Sequence, residues 1–143
     1  MIVDKKQTRI TSFTITKTIL VRDDISVLVN NLEKLKTDKF EKIFIPEFTY
    51  DVDGDELTIE SEYIKGDYID LRHMDILYDD LVMHRDTHSF HDYQFCNYII
   101  RDDKIYAVDL DDYREINYTD RMKDWLKIKG QEEERLELIW NSL

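Results

Sequence analysis

Alternating apolar residues predict a β-strand near the start of the chain. Over residues 10–21, every second position from Phe13 to Val21 is apolar except Lys17, so these side chains would share one face of the strand. A lysine on such a face is unfavourable unless it is paired, which favours an inward, partnered Lys17. A register shift of one residue would expose Lys17 instead.

A helix is predicted directly after this strand. Asp23 or Asp24 can cap its N-terminus, and the apolar residues that follow are spaced three and four apart, as in an amphipathic helix. Glu33 lies at the edge of the apolar stripe. The stripe consists of Ile25, Leu28, Val29, Leu32 and Leu35.

Two hairpins are predicted further along the chain. The segment FIPEFTYDVDGDELTIESEYIKG, residues 44–66, indicates two strands around Asp53-Gly54, which is a favoured turn dipeptide. In the second hairpin, residues 98–100 pair with residues 105–108 through a turn at 102–104. The two patterns together predict substantial antiparallel sheet.

Helical spacing returns between and after the hairpins. Residues 67–84 have apolar positions that would face a core, and from about residue 119 the tail is predicted to form two helices separated by Gly130. The mixture of strands and helices predicts an α+β fold. The apolar positions of the first segment are Ile69, Met74, Leu77, Leu81 and Met83.

Length and composition are those of one globular domain. A chain of 143 residues with 42% apolar residues can bury a single core. No run of about 18 apolar residues is present, so no membrane span is predicted. Residues 1–12 lack the apolar core of a signal peptide, so a cytoplasmic location is expected. The single cysteine, Cys96, cannot form an internal disulfide and matches no zinc-site spacing.

The charge balance restricts the partners. The net charge is −12, from 32 acidic and 20 basic residues, and such a surface repels nucleic-acid backbones, so no nucleic-acid partner is expected. The same surface would repel the phosphates of a nucleotide unless a divalent cation intervened. Any nucleotide chemistry in this chain is therefore expected to depend on a metal ion.

The residues that carry candidate chemistry lie in FHDYQFCNYIIRDDKIYAVDLDDYR, residues 90–114. Asp92 is followed five residues later by Asn97, and the hairpin after Asn97 ends in Asp109-Leu110-Asp111. Phosphoryl transfer requires a carboxylate beside the attacking hydroxyl and oxygen ligands that hold magnesium on the phosphates. Because a hairpin places its entry and exit side by side, Asn97 and Asp109 can converge on one Mg²⁺. An asparagine adds a ligand oxygen without adding charge.

This pattern resembles the catalytic core of the protein-kinase-like superfamily. It looks closest to the aminoglycoside, choline and small lipopolysaccharide kinase branches, which carry an Asp-Leu-His-Pro-Gly-Asn loop and an Asp-Phe-Asp-like metal motif. The resemblance implies a single kinase-like domain over residues 1–143. Residues 1–64 would form a reduced N-terminal lobe, a short antiparallel sheet with one helix. Residues 65–143 would form a trimmed, mainly helical C-terminal lobe that contains the catalytic hairpin.

The resemblance implies a phosphotransferase that moves the γ-phosphoryl group of ATP to an unidentified hydroxyl acceptor with Mg²⁺. Asp92 would be the catalytic base, and Asn97 and Asp109 would be the magnesium ligands. Asp111 would be either a second carboxylate near the metal or a structural hydrogen-bonding group. Asp112 is expected to be solvated.

The resemblance also implies a nucleotide-binding region in the N-terminal lobe. Residues 61–64 would form the hinge, where backbone groups of Glu62 and Ile64 meet the adenine edge of ATP. Lys17 and Glu33 would pair to hold the phosphates. A reduced N-terminal lobe would leave apolar surface that a second subunit could cover, so a homodimer is a possible assembly.

A second aspartate, Asp86, stands in a literal His-Arg-Asp tripeptide, but His91 occupies its fifth following position where the metal-binding asparagine is expected. Asp92 is therefore the favoured base. The chain also departs from the family: no glycine precedes Lys17, only about two strands fit before the first helix, and Phe90 and Gln94 replace residues usual beside the base. A pseudokinase that binds nucleotide or regulates a partner is the alternative, and an acidic interaction protein with a coincidental resemblance is a third.

Overall fold

The computed structural model describes residues 3–83, 87–116 and 141, and in these ranges the fold is α+β, as the sequence predicts. Strands predominate. The strands are β1 (Val3–Ile10), β2 (Thr14–Val21), β3 (Ile43–Phe44), β4 (Phe48–Asp53), β5 (Glu56–Glu62), β6 (Asp67–Tyr68), β7 (His88–Phe90), β8 (Tyr98–Arg101), β9 (Lys104–Ala107) and β10 (Tyr113–Glu115). The α-helices are α1 (Ile25–Thr37) and α2 (Met74–Tyr78), and short helical turns lie at Leu71–His73, Asp79–Met83, Phe95–Asn97 and Leu110–Asp112.

The first half of the chain forms an antiparallel sheet with strand order β1-β2-β5-β4. Two strands therefore precede the first helix, as predicted. The hairpin of β4 and β5 is also confirmed, but its turn lies one residue later than expected. Asp53 pairs with Glu56, so the two loop residues are Gly54 and Asp55. Gly54 has φ 61°, a left-handed conformation that glycine adopts without a Cβ penalty.

Helix α1 begins and buries its apolar stripe as predicted. The side chain of Asp24 accepts a hydrogen bond from the Ser26 N–H at 3.0 Å and so caps the helix. Leu28, Leu32 and Leu35 are buried in one core with residues of both halves of the chain. Among the described elements, α1 packs against β10 and the turn at Leu110–Asp112, so it supports the segment that follows Asp109.

The second half of the described chain contains a four-stranded sheet of order β3-β9-β8-β6 and a two-stranded ribbon of β7 and β10. The predicted hairpin of β8 and β9 is present, with Asp102 and Asp103 both in left-handed conformations, φ 52° and 63°, as a type I′ turn requires. Strand β3 lies within the range predicted for the N-terminal lobe, yet it pairs in parallel with β9. The chain therefore links the two sheets before it enters the β4–β5 hairpin.

The helical segment predicted over residues 67–84 starts later than expected. Residues 67–68 form β6, and the Asp70 carboxylate then caps the first turn by accepting from the Arg72 N–H at 2.9 Å. Its predicted apolar residues Ile69, Met74, Leu77 and Leu81 are buried. In the described part of residues 65–116, five strands alternate with α2 and four short helical turns, so this range is mixed rather than mainly helical. The tail helices predicted from residue 119, and Asp86, lie outside the described residues. No helix in the described ranges is long and apolar enough to cross a bilayer.

Gly66 allows the chain to approach β8 closely after it leaves β5. A Cβ at this position would lie 2.0 Å from the Ile100 carbonyl oxygen and 2.9 Å from its carbonyl carbon. These are backbone atoms of the β6–β8 pairing, so they cannot yield without separating the strands. We expect Gly66→Ala to lower the free energy of unfolding by about 2 kcal/mol or more in urea titrations. Lys65→Ala, at the neighbouring exposed position, is the control; equal stability of the two variants would contradict the steric explanation.

Candidate functional site

The lysine predicted to bind phosphate contacts the aspartate predicted to bind metal. Lys17 Nζ lies 2.7 Å from Asp109 Oδ1, across 92 residues of sequence, and 2.6 Å from Asp111 Oδ1. Lys6, from β1, lies 2.6 Å from the other oxygen of Asp111. The Lys17 side chain is 23% exposed. The strand register is therefore the one that turns Lys17 inward, where it is paired.

The protonation states of this cluster follow from its burial and its charges. Burial alone would lower the pKa of Lys17, but the charges of Asp111 and Asp109 outweigh it and raise that pKa. Burial would raise the pKa of Asp111, yet its contacts with Asp109 and Lys17 hold it well below its usual range. Burial and the neighbouring Asp111 raise the pKa of Asp109. Lys17 is thus a permanent cation at neutral pH.

Asn97 and Asp109 lie beside each other at the open end of the β8–β9 hairpin. The Val108 N–H donates to the Asn97 carbonyl at 3.0 Å, and Asp109 is the next residue. Within the described ranges, the side-chain oxygen of Asn97 receives only a long contact, 3.9 Å, from Cys96 Sγ. The register of the hairpin therefore makes Asn97 and Asp109 neighbours along the backbone, and the Asn97 side-chain oxygen has capacity for a further partner.

The backbone of Asp92 is held at both of its polar groups. The register of β7 and β10 places His91 and Asp92 beside Asp112, whose Oδ2 accepts from their N–H groups at 2.9 and 2.7 Å. The Tyr98 hydroxyl donates to the Asp92 carbonyl at 3.1 Å. Asp92 Oδ1 accepts from the Gln94 N–H at 3.0 Å, whereas Oδ2 has no hydrogen-bond partner in the described ranges. One carboxylate oxygen is thus fixed and the other is available.

Asp112 and Tyr98 are the supporting residues that the sequence did not reveal. The expectation that Asp112 is solvated is wrong, because its side chain is only 12% exposed and accepts two backbone hydrogen bonds. The pairing of β7 with β10 creates this contact. The β7 segment, His88–Phe90, is too short to give a recognisable strand pattern. Only the acidic run after Asp109 could have directed attention to Asp112.

Burial raises the pKa of Asp112 to about 6, from an ordinary 3.8. Between these values the folded state holds a proton that the unfolded chain has released, so the free energy of unfolding falls as pH rises from about 4 to 6. Asp112→Asn cannot titrate but keeps an acceptor oxygen. Relative to the wild type, we expect the free energy of unfolding of Asp112→Asn to rise by about 2 to 3 kcal/mol as the pH is raised from about 4 to about 6. Urea unfolding of metal-free protein at several pH values tests this; parallel pH profiles would contradict it.

Glu33 does not pair with Lys17, contrary to the expectation. It accepts a hydrogen bond from the Tyr50 hydroxyl and lies 3.7 Å from Lys36. Tyr50, Ile59 and Lys17 are in register across β4, β5 and β2, so they share one face of the sheet. Glu33 therefore reaches that face two strands away from Lys17, which is already paired with two aspartates.

A cavity of about 360 Å³ lies between the predicted hinge and the β8–β9 hairpin. A small recess of about 20 Å³ shares Ile15, Ser61 and Val108 with this cavity and extends to Lys17 and Asp111. The Ile64 N–H has no hydrogen-bond partner among the described residues, whereas the Glu62 N–H donates to Glu47 at 3.2 Å. The hinge cavity is lined by Ile10, Ile15, Pro46, residues 61–66, Tyr68, Cys96, Ile99 and Val108.

A larger and more open groove, of about 690 Å³, lies beside the end of α1. Of the predicted site residues it touches only Glu62, and neither Lys17 nor the hairpin aspartates line it. The hinge cavity is smaller, but it shares Ile15, Ser61 and Val108 with the recess that reaches the charged cluster, whereas the groove shares Ser61 with it. We therefore place the candidate site in the hinge cavity.

In comparisons with known proteins, no family model, no curated protein and no solved structure matches the chain. In the part of the chain that the structure describes, no three His, Cys, Asp or Glu side chains are grouped to hold a metal ion. A cation at this site would therefore take Asp109, the Asn97 amide oxygen and oxygens from its ligand.

Proposed function

We propose that this protein is a minimal kinase-like phosphotransferase that moves the γ-phosphoryl group of ATP to a hydroxyl acceptor with Mg²⁺. The observation that carries this proposal is the 2.7 Å contact between Lys17 and Asp109. It brings a cation and a carboxylate together beside the recess that reaches Lys17 and Asp111, and Asp109 directly follows Val108, the backbone partner of Asn97. These are the groups that a magnesium-complexed triphosphate requires.

The residues present fit such a ligand. Mg²⁺ usually binds to one or two protein carboxylates and completes its shell with phosphate and water oxygens, so Asp109 with Asn97 is a sufficient protein contribution. A cavity of about 360 Å³ lies within the range of small-molecule sites. The Ile64 N–H, which has no partner among the described residues, would supply a donor for the adenine, and the backbone carbonyl of Glu62 would supply the acceptor.

Each residue then has a defined role. Bound magnesium-ATP would supply the electrophilic phosphorus and its leaving group. Asp92 would accept the proton of the acceptor hydroxyl at Oδ2, while Oδ1 stays bonded to the Gln94 N–H. Asp112 and Tyr98 would hold the backbone of Asp92 in place. Lys17, kept charged by its two carboxylates, would neutralise phosphate.

Binding of magnesium-ATP is the first test of this proposal. At a ligand concentration about 100-fold above Kd, we expect the wild type to gain roughly 2.7 kcal/mol, seen as a higher Tm in a thermal-shift assay. Asp109→Asn should weaken this binding at least about tenfold and reduce its dependence on Mg²⁺. Lys17 keeps Asp111 as a partner in this variant, so the fold should survive.

Asp103→Asn is the matched control, because it makes the same charge change at the far turn of the same hairpin, where asparagine tolerates the left-handed φ. It should bind like the wild type. Absence of any magnesium-ATP effect on the wild type would overturn the proposed function.

A nucleotide-binding module without efficient catalysis is the second candidate. The first glycine of the chain is Gly54, so no glycine-rich loop covers the phosphates with backbone amides. This reading expects thermal stabilisation by magnesium-ATP without turnover above that of Asp92→Asn. Measuring stabilisation and ATP consumption on the same preparation separates the two candidates.

A further inference from the structure

We infer that Lys6 is a second phosphate-binding cation, which strand β1 supplies in place of a glycine-rich loop. This inference rests on the proposed function, because it assigns the phosphate contacts of the same site. It starts from the contact of 2.6 Å between Lys6 Nζ and Asp111 Oδ2, which joins the edge strand to the charged cluster.

The register of β1 and β2 places Lys6 on the face that lines the site. Thr8 lies opposite Lys17, and Ile10 lies opposite Ile15. Because side chains alternate along a strand, Lys6, Thr8 and Ile10 share that face. Ile10 lines the hinge cavity, at the end predicted to bind the adenine of ATP. One face of β1 thus extends from the predicted adenine end of the site, at Ile10, to the charged cluster, at Lys6.

Asp111 holds the two lysines next to each other. Lys17 and Lys6 each bind a different oxygen of this one carboxylate, at 2.6 Å in both cases. The Asp111 side chain is 5% exposed, whereas that of Lys6 is 49% exposed. The buried carboxylate therefore fixes the position of the Lys6 ammonium group while leaving it open to solvent, where an incoming phosphate can share it.

With Lys6 included, the charged cluster is locally neutral and therefore repels a phosphate less than the acidic chain as a whole does. Lys6 and Lys17 contribute +2 and Asp109 and Asp111 contribute −2, so the four groups sum to zero in a chain of net charge −12. Without Lys6, the net charge of the remaining three groups would be −1. A lysine ammonium binds phosphate as a compact point charge and needs no glycine for close backbone approach. Lys6 can therefore supply part of the phosphate contact that backbone amides would make.

The test compares Lys6→Gln with Arg9→Gln in the full chain. The Arg9→Gln substitution removes the same charge from the same strand. Arg9 lies opposite Thr16, at the alternate register position, so it is on the other face of the sheet. Affinities for adenosine, ADP and ATP are measured with Mg²⁺ by calorimetry. We expect Lys6→Gln to bind ADP and ATP about five- to tenfold more weakly than the wild type, with adenosine unchanged. Arg9→Gln should match the wild type for all three ligands, and Lys6→Arg should restore most of the lost affinity.

The outcomes separate this inference from the proposed function. Wild-type binding of all three ligands with no loss in Lys6→Gln would overturn the role of Lys6 and leave the proposed function standing. An equal loss for adenosine and ATP would also overturn it, because Lys6 would then act through the fold. A wild type that binds neither ATP nor ADP would overturn both. Urea unfolding of Lys6→Gln verifies that the variant is folded.

Discussion

Asp92→Asn is expected to lower the rate of phosphoryl transfer by about a thousandfold, the usual contribution of a positioned general base. The asparagine oxygen can still accept from the Gln94 N–H, so the loop should keep its conformation. What is lost is Oδ2, the proposed proton acceptor, which has no hydrogen-bond partner in the described ranges. Because Asp92 is not among the residues assigned to nucleotide binding, the affinity for magnesium-ATP should change little.

Initial rates of ATP consumption, with and without candidate acceptors, measure this effect. Asp103→Asn carries the same substitution at the opposite end of the hairpin and should retain wild-type rates. Equal turnover in Asp92→Asn and the wild type would contradict the role of Asp92 as the general base. A parallel loss of nucleotide affinity would indicate that Asp92 acts through binding rather than through proton transfer.

Asp80→Ala is expected to lower the free energy of unfolding by about 3 to 4 kcal/mol. The buried Asp80 carboxylate accepts from the backbone N–H groups of Glu41, Lys42 and Ile43 at 3.3, 2.6 and 2.7 Å. Alanine would leave these donors without a partner, and they form the entry to β3. The pairing of β3 with β9 should weaken with them.

Urea titration of Asp80→Ala and of its neighbour Asp79→Ala tests this expectation. Asp79 binds the Lys42 ammonium at 2.5 Å, and both side chains are about half exposed, so its loss should change stability much less. Similar unfolding midpoints for the two variants would contradict a special role for Asp80. Hydrogen exchange at Ile43 should be faster in Asp80→Ala than in Asp79→Ala.

The elements that could be predicted are those set by local patterns. The hairpins follow from turn residues such as Gly54 and the Asp102-Asp103 pair, and helix α1 follows from its cap and apolar stripe. The closeness of Asn97 and Asp109 follows from the hairpin between them, because entry and exit of a hairpin are neighbours whatever the rest of the fold does.

Contacts that depend on tertiary arrangement could not be predicted. The partner of Lys17 is decided by which carboxylates are nearest in space, and the two hairpin aspartates reach it before Glu33 does. The short strands β3, β7 and β10 have no pattern of their own, so the burial of Asp112 was missed. The late start of the second helical segment depends on the Asp70 cap, which competes with an apolar pattern that extends upstream.

The position of β3 has a consequence for ligand exchange. The chain passes between the two sheets before β3, after β3 and again between β5 and β6, so three covalent connections join the walls of the hinge cavity. A wide separation of these walls would have to break the pairing of β3 with β9. We therefore expect ligands to enter and leave through rearrangement of side chains at the cavity mouth, around Ile10 and Tyr68, while the sheets keep their spacing.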